Sequence, residues 1–189
     1  MAEHQLRDRV AAAAGPAGAV TARIESFPFL GRLLTSGTVS RVEVSAADVT
    51  VQGLTFARVA VDLRDVTFDR SRLLSDRKVV LSSLGSGVAE ADVTQDQLSA
   101  RLGVPITLTA GRAQVQVGGQ LVTATASVTD NTLHLVVTGL SVPALAIPKL
   151  PLVPCVANAV ILAGRIRLTC SVSQIPTELV GRPLDQVKL

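Results

Sequence analysis

The sequence predicts an α+β fold: a strongly bent antiparallel sheet wrapped around one or two short helices, with an apolar cavity between them. Three observations carry that prediction. From Ser36 to Arg70, valines alternate with polar residues (Val42 and Val44; Val49 and Val51; Val59, Val61 and Leu63). This period of two gives a strand one apolar face and one wet face. The phase then slips twice, after Gly53 to Leu54 and Phe56, and after Asp65 to Val66 and Phe68. A slip of one residue turns the apolar face outward unless a bulge or bend absorbs it, so the sheet must be kinked. Finally, the chain offers only two helices of about three turns each to cover eight or nine strands. The surplus apolar face must close on itself as a sandwich, or curve around helices and leave room for an apolar ligand.

Taken in order, residues 3–14 form an amphipathic helix with Leu6, Val10 and Ala13 on one side, ended by Gly15-Pro16. A strand through Ala22 and Ile24 leads to Phe27-Pro28-Phe29-Leu30, where Pro28 can open a short helix with Phe29, Leu30, Leu33 and Leu34 on its apolar side. The long strand region follows Gly37. Asp69 to Lys78 breaks the alternation and places Arg70, Arg72, Arg77 and Lys78 around Leu73-Leu74. Two readings fit this loop: a membrane-surface contact, or a solvated turn whose leucines tuck into the core.

A short strand, Val79 to Leu81, precedes a Gly/Ser turn at SSLGSG. Thr94 and Gln97 then make a capping box that opens a helix through Leu98 and Leu102, stopped at Gly103. Val104 to Val137 is a meander whose turns fall at Gly111, Gly118-Gly119 and Asp130-Asn131. In LSVPALAIPKLPLVP (residues 140–154), prolines lie among aliphatics. Proline cannot donate to a ladder, so this is an edge strand or an extended apolar flap, serving as a lid or packed against the core. Val156 to Ala163 is apolar and of undetermined type; Arg165 to Ser173 is a strand, and Pro176 to Val180 a closing helical turn.

The 189 residues are expected to form one domain, with no internal repeat or linker. Hydrophobic residues make up 48%, yet Trp and Tyr are absent and Phe numbers four, so the interior is aliphatic. A net charge of +3 and the lack of aromatic stacking platforms argue against a nucleic-acid partner. No apolar run reaches the length of a membrane span, and the charged N-terminus lacks a signal-peptide core. Cys170 shares a strand face with Ile166 and Leu168 and points inward. A bridge to Cys155 would close a loop of about 15 residues, worth about 3 kcal/mol, and would place the chain in an oxidising compartment; two buried free thiols are the alternative.

Catalytic machinery is not visible. His134 lies on a strand opposite Leu133 and Leu135, and His4 sits in the first helix. No nucleophile elbow, Walker loop or dinucleotide fingerprint occurs. The cysteines lack zinc-site partners, and Asp62, Asp65 and Asp69 do not fit a calcium loop. No enzyme, cofactor or metal is expected.

The run from Ile24 to Asp69, with its "FPFL" turn, its paired V-x-V strands ending in G-L and its "VDLRDV" strand, resembles the LmeA-like family of actinobacterial cell-envelope proteins. The later meander and "LAIPKLPLVP" fit that pattern more loosely. The resemblance implies a periplasmic phospholipid binder with a tubular lipid-binding (BPI-like) architecture. It also implies phosphatidylinositol-type ligands and a link to lipomannan and lipoarabinomannan assembly, with an envelope mannosyltransferase as a protein partner. An N-terminal anchor or signal removed ahead of Met1 would follow. On this reading Phe27, Phe29, Leu33, Phe56 and Phe68 line the acyl site, although each also suits ordinary core packing. Arg72, Arg77 and Lys78 would meet the head group or the membrane surface. The competing expectations are a ligand-free scaffold that stabilises an envelope enzyme, and a lipid hydrolase.

Overall fold

A computed structural model describes residues 20–25, 36–76, 78, 80–137, 144–147 and 157–173. The described residues are mostly antiparallel sheet. Strands β1 (Val20–Glu25), β2 (Thr38–Val51), β3 (Leu54–Phe68), β4 (Leu81–Thr94), β10 (Asn158–Leu162) and β11 (Arg165–Val172) form a six-stranded sheet in the order β1-β2-β3-β4-β11-β10. Strands β5 (Ile106–Thr109), β6 (Arg112–Val117), β7 (Gln120–Thr129), β8 (Thr132–Val136) and β9 (Leu145–Ala146) form a five-stranded sheet in chain order. Two helices are described, α1 (Arg70–Ser75) and α2 (Gln95–Leu102).

The alternation between Ser36 and Arg70 is a single long hairpin. Gln52 and Gly53, at φ 50° and 78°, make its two-residue turn, since a tight hairpin needs two left-handed residues to match the strand twist. The slip at Gly53 is therefore this turn, and the bulge expected there is not needed. The slip at Asp65 lies within β3, where Asp65 has φ 52°. Pairing lapses at one level across three strands, at Ser40, Asp65 and Gly85, with the register unchanged across the lapse; β3 and β4 shift register only further on, between Thr67 and Phe68. The inward apolar positions change parity across that line: Val39 and Val66, both buried, lie on one side, and Val42 and Leu63, half-buried, on the other. A left-handed residue resets the alternation and keeps the apolar set inward. Asp48, at φ 52°, does the same between Ala46 and Val49, both 7% exposed.

The SSLGSG stretch is not a turn. It is the first half of β4, where Gly85 lies against Asp65 and Gly87 beneath Leu63. Asp69 to Lys78 contains a capped helix in place of the expected loop, and part of the undetermined Val156–Ala163 segment is strand β10. The helix after Thr94 forms with both halves of its capping box, and Gly103 closes it at φ 69°. It runs eight residues, shorter than the three turns expected. Helix 3–14 lies outside the described residues. The meander is as expected, with left-handed pairs at Gly118-Gly119 and Asp130-Asn131, and Leu145–Ala146 pairs with β8 at the sheet edge.

One core cluster joins the two sheets. Leu54, Phe56, Ala91, Val93, Ile161, Ile166 and Leu168 of the larger sheet meet Ile106, Leu108, Ala113, Val115, Ala124, Leu133 and Leu135 of the smaller, with Leu98 and Leu102 of α2 between them. This cluster occupies one end of the long strands. The other end of β3 and β4 carries α1. The described residues thus form two sheets packed at one end.

Candidate functional site

Between the core cluster and α1, the inner face of the six-stranded sheet carries two cross-strand rows. Register sets Val42, Leu63, Gly87 and Val172 side by side, and then Val44, Val61, Ala89 and Cys170. Neither row belongs to the core cluster. Val42, Val44, Val61, Leu63 and Val172 are only half-buried. Along β4 the inward positions are Gly87, Ala89, Ala91 and Val93, about 20 Å of strand bearing almost no side-chain bulk. The half-buried valines and leucine form an apolar strip over this small-residue track, whose own residues are buried. Leu63 leans over it: a Cβ on Gly87 would stand 2.8 Å from Leu63 Cδ2.

At the α1 end, the chain turns tightly and is pinned. The Phe68 amide donates to the Gly37 carbonyl at 2.8 Å, and the Asp69 amide to the Val80 carbonyl at 2.8 Å. Asp69 caps the helix by accepting from the Arg72 amide at 3.2 Å. The Arg70 stem packs on Gly37, whose would-be Cβ lies 2.8 Å from Arg70 Cγ. Arg70, Arg72 and Lys78 are exposed, and Leu74 among them is 60% exposed.

The outer face of the same sheet is charged and internally paired. Arg41 grips Asp62 with two hydrogen bonds (3.0 and 2.8 Å), and Arg167 grips Asp92 likewise (2.8 and 3.0 Å). The hydrogen bond from Arg41 holds the Asp62 carboxyl below its ordinary range, and the bond to Asp92 raises Arg167. Asp92 is 4% exposed, with Arg165 also at 3.5 Å. These groups neutralise one another, so the face is a structural lattice. An open depression of about 390 Å³ at Ser99, Gly103, Val104, Pro105 and Ile106 holds one hydroxyl, which already accepts from the Ile106 amide. No metal-binding cluster occurs among the described residues, and no described helix is long and apolar enough to cross a membrane.

Of the residues singled out from sequence, Phe56 sits in the core cluster at 2% exposure, and Phe68 is half-buried beside α1. Arg72 and Lys78 lie together on and just after α1; the Lys78 amide donates to the Arg72 carbonyl at 3.2 Å. Phe27, Phe29, Leu33, Arg77 and Cys155 lie outside the described residues. Cys170 is disulfide-bonded. The small-residue track of β4 escapes the sequence reading, although its signal is present as G-x-A-x-A-x-V from Gly87 to Val93. Arg70 belongs to the basic loop expected from sequence, but its seat on Gly37 has no sequence signature.

Comparison with curated proteins and with solved structures returns no match. A family model described as LmeA-like phospholipid-binding matches residues 1–185, nearly the whole chain. A half-buried aliphatic strip ending at a basic turn is suited to a molecule with hydrocarbon tails and an anionic head, and the match agrees with that chemistry. This chain belongs to the LmeA-like phospholipid-binding family.

Proposed function

We propose that this protein is a non-enzymatic phospholipid binder of the cell envelope that takes phosphatidylinositol-type lipids in the periplasm. It would support lipomannan and lipoarabinomannan assembly or envelope lipid homeostasis, with an envelope mannosyltransferase as a protein partner. The observation that carries this reading is the pair of half-buried aliphatic rows beside Gly87 and Ala89, set between a packed core and the basic α1 turn. Acyl chains lie against the half-buried rows of Val42, Val44, Val61, Leu63 and Val172, each buried methylene contributing roughly 0.8 kcal/mol. Phe56 closes the core end and Phe68 flanks the other. Phe27, Phe29 and Leu33 complete the lining, and the long sheet bends around the helices at 3–14 and after Pro28 to enclose a tubular cavity. Arg72, Arg77 and Lys78 receive the phosphate of the head group.

Native mass spectrometry of the purified protein, with extraction and identification of any bound lipid, tests this. A phospholipid adduct that diminishes in Val44→Thr, at a half-buried position of the rows, with the urea midpoint little changed, supports it. A lipid-free mass that persists after incubation with phosphatidylinositol overturns it in favour of the ligand-free scaffold.

A further inference from the structure

We propose that α1 is a docking element for an anionic bilayer, with Leu74 entering the interfacial region while Arg70, Arg72 and Lys78 meet lipid phosphates. The proposal rests on the phospholipid-binding reading in one respect, since a carrier must touch the bilayer that supplies its cargo.

Two independent features support α1 in this role. The first is charge. Residues 69–78 hold four basic and two acidic side chains, which accounts for two of the chain's three net positive charges within ten residues. Arg72 is shared with Asp69, its Nε lying 3.8 Å from Asp69 Oδ2. Such a cluster is attracted to anionic head groups over about a Debye length and adds affinity with each basic residue.

The second is rigid presentation of an apolar group. Leu74 is 60% exposed on a helix tied to the sheet at its start by the Phe68–Gly37 and Asp69–Val80 hydrogen bonds, with the Lys78–Arg72 bond closing its C-terminal turn. The Ser75 hydroxyl donates to the Ser71 carbonyl at 2.7 Å, which holds the last turn. A pinned helix loses little freedom on docking.

The molecule supplies its own control. Leu121, at the tip of the β6–β7 hairpin, is 67% exposed, more than Leu74, but its neighbours Gln116 and Gln120 are uncharged. Exposure alone would favour Leu121; exposure combined with positive charge favours α1.

The test is co-sedimentation with equimolar phosphatidylcholine–phosphatidylglycerol vesicles, against pure phosphatidylcholine. The protein is expected to bind the mixed vesicles and lose that binding as ionic strength rises. Arg70→Ser and Lys78→Ser each weaken it about fivefold, and Leu74→Ser about tenfold. Leu121→Ser leaves it unchanged. In Arg70→Ser and Leu74→Ser, which lie outside the proposed head-group set, the urea midpoint and the lipid adduct seen by native mass spectrometry stay as in the wild type. This separates loss of docking from loss of cargo. Binding that is absent, that resists salt, that survives the combined Arg70→Ser, Leu74→Ser and Lys78→Ser variant, or that falls equally in Leu121→Ser overturns the proposal. A retained lipid adduct in any of these cases leaves the carrier function standing.

Discussion

Asp65 faces Gly85 across the β3–β4 ladder so closely that a Cβ on Gly85 would stand 2.8 Å from the Asp65 Cβ and 3.2 Å from its Oδ2. The contact sits on the line where pairing lapses, and Asp65 holds a left-handed backbone there, a conformation unfavourable for side chains with a Cβ. Gly85→Ala should therefore cost about 1–3 kcal/mol by overpacking. Asp65→Gly should stay within about 1 kcal/mol of wild type, because glycine adopts this conformation freely. In the double variant the cost of the Gly85 change should fall by at least half. Urea denaturation of the four proteins measures the coupling, and strict additivity would refute the contact's role.

The two bidentate Arg–Asp pairs should differ in consequence. Asp92 is 4% exposed, so Arg167→Met strands a buried carboxylate with only Arg165 nearby, at 3.5 Å. The expected loss is about 3 kcal/mol. Asp62 and Arg41 keep side-chain exposures of 26% and 33%, and solvent screening limits Arg41→Met to about 1 kcal/mol. Chemical denaturation at neutral pH should rank the two in that order.

Asp62 also sets a pH dependence. Its carboxyl is held below the ordinary value of 3.8, chiefly by the hydrogen bond from Arg41. A carboxyl with a depressed folded value contributes stability above its unfolded value, and that stability is lost as pH falls through the folded one. Asp62→Asn should lower the urea midpoint at pH 7 and converge on wild type in strong acid. A constant gap across the titration would show that the charge is not responsible.

Cys170 is disulfide-bonded, and the chain's other cysteine is Cys155. A closed loop of about 15 residues is worth about 3 kcal/mol by chain entropy. Reductant, or Cys170→Ser, should lower stability by about that amount. Cys170 lies in the same row as Ala89 and Val61, so the same change should also loosen lipid retention, read as a fall in the native-mass adduct.

Much of the sheet is legible because strand alternation and turn chemistry are local. Asp130-Asn131 and Gly118-Gly119 declare their hairpins, and Thr94 with Gln97 declares the helix start. What escapes reading depends on partners distant in sequence. Gly85 and Gly87 look like a turn until Asp65 and Leu63 are placed over them. A six-residue helix such as α1 has too few positions for a periodic signal and shows itself only through the Asp69 cap. Gly53 reads as a bulge because its neighbour Gln52 adopts a left-handed conformation that glutamine does not advertise. Of the candidate site, the basic cluster can be named in advance. The half-buried aliphatic strip cannot, because it is defined by which rows stay outside the packed cluster, and that follows from where the second sheet lands.

The confinement of the packed cluster to one end of the long strands has an evolutionary consequence. Residues such as Val42, Val44 and Val172 are half-buried and lie outside the cluster that holds the two sheets together. Selection can therefore exchange them for larger or smaller neighbours and retune which tails are accepted, while the distant anchor keeps the chain folded. On the proposed function, a change along these rows would alter the fit to lipid tails before it touched the packing that holds the fold.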